Sequence, residues 1–235
     1  MIARVALAGI ACAACLSPPD EAEHAAGDGA PATMDAHVES DAGPCTVQFR
    51  DDFDGDRLGD AWIFFDDFDN TSRDVGGGAL TLSATAKSSY SFGSVQTDVA
   101  WDLAETTIEA HVDPQPSDEG DVFFGWIEED GDRYLGLAAI WGQRVSIVDG
   151  VLGATWVEPC DPDCPDFVGG VQRWRIRPEG STLVFEISPA EGGWQVFAAQ
   201  PMPAFARGHP AFWAETAVGY TSALTIEVVT VAGCD

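Results

Sequence analysis

The sequence predicts an all-β fold, a two-sheet antiparallel sandwich, over residues 45–235. First, short runs in this region alternate between apolar and polar residues, as strands with one buried face do. Second, Gly, Pro and Asp clusters interrupt the runs at close spacing, and no run keeps a helical period over ten residues. About a dozen strands exceed the seven of a simple immunoglobulin domain, so two large facing sheets fit better.

The predicted strands follow each other along the whole region. The clearest alternating runs are residues 46–50, 79–83, 107–112, 144–148, 174–177, 181–188 and 224–231. Turn-forming residues separate them, at 76–78, 113–114, 130–132, 149–150, 178–180 and 191–193. Many short strands separated by frequent turns predict that consecutive strands pair antiparallel, without helices connecting them.

Four cysteines outside the N-terminal segment predict two disulfides, for which three pairings exist. Cys160 and Cys164 lie in one turn-rich loop, whereas Cys45 and Cys234 bracket the region. We therefore expect the pairs Cys160–Cys164 and Cys45–Cys234. The second pair predicts that the first and last strands are neighbours.

Residues 1–15 predict a lipoprotein signal peptide, because a basic residue, Arg4, precedes an uncharged run that ends at Cys15. A cysteine at this point resembles the lipobox of bacterial lipoproteins. Cys15 is the expected lipidated residue; Cys12 and an ordinary signal peptide are the alternatives. Residues 16–44 are acidic and lack aromatics, which predicts a disordered linker. We expect an exported protein, lipid-anchored in the cell envelope at the outer membrane or cell surface.

The charge limits the classes of partner. The first 44 residues hold seven of the 39 acidic residues and one of the 11 basic ones, so residues 45–235 keep 32 against 10, a net charge of −22. Nucleic acids and polyanionic glycans need cationic patches, so the charge argues against both. It favours a neutral or cationic ligand, or calcium. We expect contact with a membrane only through the lipid anchor. The oligomeric state is not predicted.

Several segments resemble concanavalin A-like lectin/glucanase domains. Residues 49–62 read FRDDFDGDRLGDAW, like the F-x-D-x-F-x-G opening of that superfamily with its following Leu and Trp. The Gly-rich turn at 76–82 and the hairpin at 121–134 are also similar, and residues 173–194 resemble the late hairpins of DUF1349-like bacterial members. The resemblance implies that the two-sheet antiparallel sandwich is a concanavalin A-like jelly roll. It leaves lectins, carbohydrate-binding modules, hydrolases, lyases and structural domains as functions.

The catalytic pattern of that superfamily is not matched. Its best-known hydrolases carry E-x-D-x-x-E on one strand, and the nearest segment here, residues 128–133, ends in Arg133 and contains a glycine turn. We expect a hairpin turn there and no catalytic residue. The region also has only two histidines, His111 and His209, and no G-x-S-x-G nucleophile segment.

A structural calcium ion is the one cofactor that the sequence leaves open. The aspartates of residues 51–56 suggest an EF-hand loop, but Arg57 replaces its glycine and Ile63 stands at the position of its bidentate glutamate. The run therefore predicts a solvated turn, and no metal ligands are assigned.

Aromatic residues near one acidic residue form the predicted ligand site, because a flat ring stacks on the apolar face of a sugar. Alternation places three of them on one face of a strand, two more are close to that strand in sequence, and the last lies in the loop before Cys160. The candidate ligand-binding residues are Phe124, Trp126, Glu128, Tyr134, Trp141 and Trp156. Trp62, Trp174 and Trp213 are assigned to the core. Arg173, Arg175 and Arg177 share one strand face, where ion pairs with Glu186 are expected.

These observations together predict a membrane-tethered, non-catalytic carbohydrate-binding or surface-recognition module with a neutral glycan as partner. A glycoside hydrolase or polysaccharide lyase of the same fold is the alternative, and a structural or adhesive envelope protein is the second alternative. An acidic pair facing the cleft would distinguish the hydrolase from the other two.

Overall fold

A computed structural model describes residues 45–67, 71–87, 90–140, 144–151, 169–189 and 192–234. Every regular element in these ranges is a β-strand. The first eight strands are β1 (Thr46–Asp51), β2 (Trp62–Asp67), β3 (Thr71–Val75), β4 (Leu80–Thr85), β5 (Ser91–Thr97), β6 (Trp101–Asp102), β7 (Thr106–Gln115) and β8 (Gly120–Glu128). The remaining strands are β9 (Arg133–Ile140), β10 (Arg144–Val151), β11 (Gln172–Glu179), β12 (Thr182–Pro189), β13 (Gln195–Pro201), β14 (Arg207–Thr216) and β15 (Thr221–Gly233).

The strands form two antiparallel sheets, which confirms the predicted jelly-roll sandwich. The eight-stranded sheet has the order β13-β12-β11-β7-β15-β4-β3, with β1 paired to β15. The seven-stranded sheet has the order β10-β9-β8-β14-β5-β2, with β6 paired to β14. The described part of the chain contains no helix that is long and apolar enough to cross a membrane.

The first and last strands are neighbours, as the cysteine positions predict. Strand β1 pairs with the C-terminal half of β15, from Thr46 opposite Gly233 to Asp51 opposite Val229. A disulfide joins Cys45 to Cys234 beside this pair, which confirms that pairing. Cys160 and Cys164 lie outside the described residues, and so do residues 1–44, so the lipid anchor, the linker and the domain boundaries stay predictions.

The main core lies between the two sheets and is built from the inward residues of alternating strands. Strands β4 and β7 show the period of two directly, because every second residue of each is buried. Trp62 and Trp174 belong to this core, as predicted. Their indole nitrogens donate to Asp51 and Gln172 respectively, so neither buried donor is left unpaired.

The outer face of the eight-stranded sheet carries the predicted arginine row. The Nε atoms of Arg175 and Arg177 lie 2.6 and 3.1 Å from Oε2 of Glu186, whose carboxylate is buried. Arg173 and Arg175 also place their guanidinium groups over the ring of Trp194, at 4.9 and 4.0 Å from its centroid. This confirms the expected ion pairs and gives the arginines an internal, structural role.

Candidate functional site

The seven-stranded sheet has a second buried layer on its outer face, away from the main core. Strand β8 is the clearest case, because it is buried along both faces. Val122, Phe124 and Trp126 point into the main core. The alternate residues of β8, including Asp121 and Phe123, point to the outer face. Phe123 belongs there to a separate apolar cluster with Trp213 and Tyr134.

Two carboxyl groups are neighbours on this outer face. Asp121 of β8 and Glu215 of β14 are directly opposed partners in the antiparallel register. The same row continues to Ile140 of β9 on one side and to Phe92 of β5 on the other. Opposed residues of an antiparallel pair have Cβ atoms about 4.5–5.5 Å apart, so these two carboxyl groups share one local environment.

Burial raises the proton affinity of both groups. Removal from water raises the pKa of Asp121 from 3.8 to about 7, and a hydrogen bond from the Trp213 side chain opposes this by stabilising the charged form. Removal from water also raises the pKa of Glu215, from 4.5 to about 7. A pair of carboxyl groups that titrates near neutrality can both donate and accept a proton there.

An aromatic cluster occupies the next rows of the same face. Phe123 and Trp213, which are also register partners, stack with ring centroids 3.5 Å apart and planes 7° apart. The ring of Tyr134 meets both of them edge-on, at centroid distances of 5.8 and 5.0 Å. The indole Nε1 of Trp213 lies 3.1 Å from Oδ1 of Asp121. The cluster is therefore joined directly to the carboxyl pair.

A glycine pair makes the flat position of the Phe123 ring sterically accessible. Gly125 and Gly136 are directly opposed on β8 and β9. A Cβ atom added to either glycine would lie 2.6 Å from the Phe123 ring and closer still to backbone atoms of β8 or β9. Any larger residue at these positions would lift the ring and disturb its stack on Trp213.

The exposed part of the face lies on the β5 and β2 side. Phe123 is fully buried and Trp213 is only 4% exposed. Glu215 and Phe92 are half-buried, and Phe65 of β2, in the row of Trp213, is 46% exposed. A ligand that reaches the carboxyl pair from this side meets Glu215 flanked by aromatic rings.

Three of the six residues of the predicted ligand site lie away from this face. Phe124 and Trp126 have no exposed surface and belong to the main core, which corrects their expected orientation by one residue. Glu128 ends β8 and shares their parity. Tyr134 lies on the outer face, as part of the aromatic cluster. Trp141 and Trp156 lie outside the described residues, so their role stays a prediction.

Trp213 is the second correction. It was expected in the main core, but it lies on the outer face, where Phe123 and Tyr134 surround it. It is buried, as expected of most tryptophans in a sandwich, and its indole N–H donates a hydrogen bond to the carboxyl group of Asp121.

Residues 128–133 form the end of β8, the β8–β9 turn and the start of β9. This confirms the expected hairpin turn. In the aspartate run, Asp51 accepts hydrogen bonds from the backbone of Phe53 and from the indole of Trp62, so it anchors the start of the domain. Within the described ranges no group of three or more His, Cys, Asp or Glu could hold a metal ion, and no calcium ligands can be named there.

Sequence reasoning missed Asp121, Glu215 and the orientation of Trp213. Asp121 stands at the start of a strand, where a turn aspartate is ordinary, and Glu215 is more than ninety residues away. One signal was available: both sit on the polar end of otherwise apolar strands, two residues from an aromatic on the same face.

Comparison with known proteins supports the fold. No family model and no curated protein matches this sequence. A β-1,3-glucanase from Mycobacterium marinum is 15% identical with a TM-score of 0.56, over 81% of this chain and 99% of that one. An immunostimulatory antigen and pseudo-β-1,3-glucanase of Mycobacterium tuberculosis is 16% identical with a TM-score of 0.58, over 80% and 98%. Peanut lectin with a nine-residue peptide is 14% identical with a TM-score of 0.54, over 80% and 97%.

At this identity the likeness shows the fold alone, which is the concanavalin A-like fold that the opening residues resemble. Other similar structures are named glycosyl hydrolases. These names contradict the expectation of a non-catalytic recognition module.

Proposed function

We propose that this chain is a glycoside hydrolase whose reaction uses the carboxyl pair Asp121 and Glu215. The pair carries the proposal: two acidic side chains are register partners on one sheet face, and burial brings both pKa values to about 7. An acidic pair of this kind is the feature that distinguishes a hydrolase of this fold from a binding module. The hydrolase and lectin names among the structural neighbours support the same class.

Glycoside hydrolysis needs one carboxyl group that is protonated and one that is ionised. The acid gives its proton to the oxygen of the leaving sugar as the glycosidic bond breaks. In a retaining reaction the carboxylate forms a bond to the anomeric carbon, and water then replaces it. Retaining enzymes hold the two carboxyl groups about 5–5.5 Å apart, and inverting enzymes about 6.5–9.5 Å. The opposed register positions of Asp121 and Glu215 place their Cβ atoms about 4.5–5.5 Å apart, so their side chains can reach the short carboxyl separation of a retaining enzyme.

The aromatic side chains beside the pair suit a sugar ring. Phe92 flanks Glu215 in its row, and the exposed Phe65 lies one row further. Both present rings to the half-buried side of the face, where the apolar face of a pyranose can stack. The acidic character of residues 45–235 favours a neutral glycan over a polyanionic one.

The proposal rests on carboxyl groups other than the E-x-D-x-x-E pattern of the superfamily, whose nearest segment is a turn. One neighbour is itself named a pseudo-glucanase, so fold likeness alone does not decide activity. The carboxyl pair has to be tested directly.

The experiment incubates the purified full chain with neutral β-glucan and counts new reducing ends. Glu215→Gln and Asp121→Asn keep the side-chain size and remove the acid. Each is expected to lower the rate by about 10²–10⁴-fold. Asp118→Asn, an exposed acid just before β8, is the matched control and should keep the rate. Activity that survives both substitutions, or no cleavage by the folded wild type, would refute the proposal.

Attachment to a membrane through Cys15 is a separate proposal that rests on the sequence. Labelling of the expressed protein with a radioactive fatty acid tests it: Cys15→Ser should abolish the label and Cys12→Ser should not. The opposite result would move the anchor to Cys12, and no label on the wild type would favour a freely secreted protein.

A further inference from the structure

We propose that Trp213 is a positioning residue that makes Asp121 the carboxyl group that ionises first, which leaves Glu215 as the proton donor. The inference rests on the proposed function of the Asp121–Glu215 pair and assigns a role to each member. It is carried by the hydrogen bond between the Trp213 indole and Asp121 and by the packing that fixes this indole.

The hydrogen bond is directional. An indole Nε1–H is a donor only, so it stabilises a carboxylate oxygen and gains little from a protonated carboxyl group. It lies 3.1 Å from Oδ1 of Asp121, at a site that is nearly closed to water. Glu215 has no hydrogen-bond donor among the described side chains. The two acids of this row differ in burial, which is deeper for Asp121 and disfavours its charge, and in one contact. That contact is the indole hydrogen bond, and it favours the charge on Asp121.

The indole is held where it is by three contacts. Its ring stacks on Phe123 at 3.5 Å, and the edge of Tyr134 meets it at 5.0 Å. Phe123 in turn lies flat over the Gly125–Gly136 pair, which has no side chain to lift it. The tilted ring of Phe92 touches the other side at 5.9 Å. The donor is therefore aimed by packing and needs no rearrangement when the charge forms.

The neighbours of Asp121 supply no competing described charge. On β14 the facing group is Glu215, and on β9 it is Ile140. Beyond Ile140 the register places Arg144 of β10, two strands from Asp121. Beyond Glu215 it places Phe92 of β5. Glu215 is the register partner of Asp121, so we expect ionisation of Asp121 to oppose loss of the Glu215 proton.

The exposure of the two groups determines what each can reach. Asp121 is 9% exposed and bonded to Trp213, whereas Glu215 is half-buried and faces the more open side. A proton donor must reach the oxygen of the leaving sugar, which also departs toward solvent. Glu215 then donates from the open side, and the ionised Asp121 faces the reacting carbon from below.

The test measures the carboxyl titrations by NMR on the full chain labelled with ¹³C at Asp and Glu side chains, without substrate. Signals are assigned from Asp121→Asn and Glu215→Gln. In the wild type Asp121 should titrate at lower pH than Glu215. Trp213→Phe keeps the stacked ring and removes the donor, so the midpoint of Asp121 should rise by about 1–2 pH units and the order should merge or invert.

Trp174→Phe is the matched control, because it also removes a buried indole donor, here bonded to Gln172 in the main core. It should leave both midpoints unchanged. If Trp213→Phe fails to fold, the wild type labelled with ¹⁵N-tryptophan still tests the idea: the Trp213 indole resonance should shift with the Asp121 midpoint.

A midpoint of Asp121 that stays put in Trp213→Phe, an indole signal that ignores its titration, or a wild type in which Glu215 ionises first would overturn the proposal. None of these readouts needs hydrolysis. Loss of the proposed activity and loss of the Trp213 role are therefore seen separately.

Discussion

Asp121 should make the protein less stable as the pH rises, and Asp121→Asn should remove this effect. The native state holds the proton of Asp121 up to a pKa of about 7, whereas the unfolded chain releases it near 3.8. Between these values the unfolded state binds fewer protons, so the free energy of unfolding falls as pH increases. The contribution is fully present below pH 4 and is lost by about pH 7.

The magnitude follows from the size of the shift. Three pKa units at about 1.36 kcal/mol each give about 4 kcal/mol for the whole range. Between pH 5 and pH 8, where the unfolded carboxyl group is already ionised, about 3 kcal/mol remains. Asn at position 121 keeps an oxygen that can accept the hydrogen bond from the Trp213 indole. Any remaining effect of the substitution on stability that does not depend on pH cancels when two pH values are compared.

The assay is urea unfolding of the wild type and of Asp121→Asn at pH 5 and pH 8, with the disulfide intact. The difference between the two proteins should change by about 3 kcal/mol in favour of the variant at the higher pH. The exposed Asp118→Asn serves as control for the loss of one negative charge and should show a far smaller change. Parallel behaviour of wild type and Asp121→Asn across this range would refute the claim that burial raises the pKa of Asp121 to about 7.

Two further predictions concern the scaffold. Replacing Cys45 and Cys234 together by Ala should lower the free energy of unfolding by about 2–5 kcal/mol in chemical denaturation, because the bridge spans 189 residues; a change below about 1 kcal/mol would contradict a role in restraining the unfolded chain. Gly136→Ala should lower the free energy of unfolding by about 1–3 kcal/mol, because its Cβ would lie 2.3 Å from the carbonyl oxygen of Phe124. Gly59→Ala is the control and should be nearly neutral, because the space around Gly59 is open. Equal unfolding midpoints for the two variants would refute the steric argument.

The sequence was sufficient for the fold because the period of two is explicit in most strands. Residues 107–112 and 224–231 alternate cleanly, and the structure contains β7 and β15 there. The positions of Cys45 and Cys234 predicted that the first and last strands are neighbours, and the structure confirms this. These features are local patterns or a covalent constraint, both of which one sequence reveals.

The site was less predictable for a physical reason. Residues 122–127 of β8 are apolar throughout and buried on both faces, so alternation could not tell which side faces the main core. Trp126 was placed outward and Trp213 inward, and the structure has both the other way round. The pairing of Asp121 with Glu215 depends on the register between two strands far apart in sequence, which no local pattern encodes.

The two central strands are also the last two along the chain, and this sets when the protein can fold. Strand β14 joins β8 to β5, and β15 joins β7 to β4 and β1. Until the final thirty or so residues are available, β8 and β5 on one side, and β7 and β4 on the other, have no partner between them. A growing chain therefore cannot close either sheet, and contacts of such long sequence separation form slowly. The sandwich can therefore close only once β14 and β15 are both available, whichever strand pairs have formed before them.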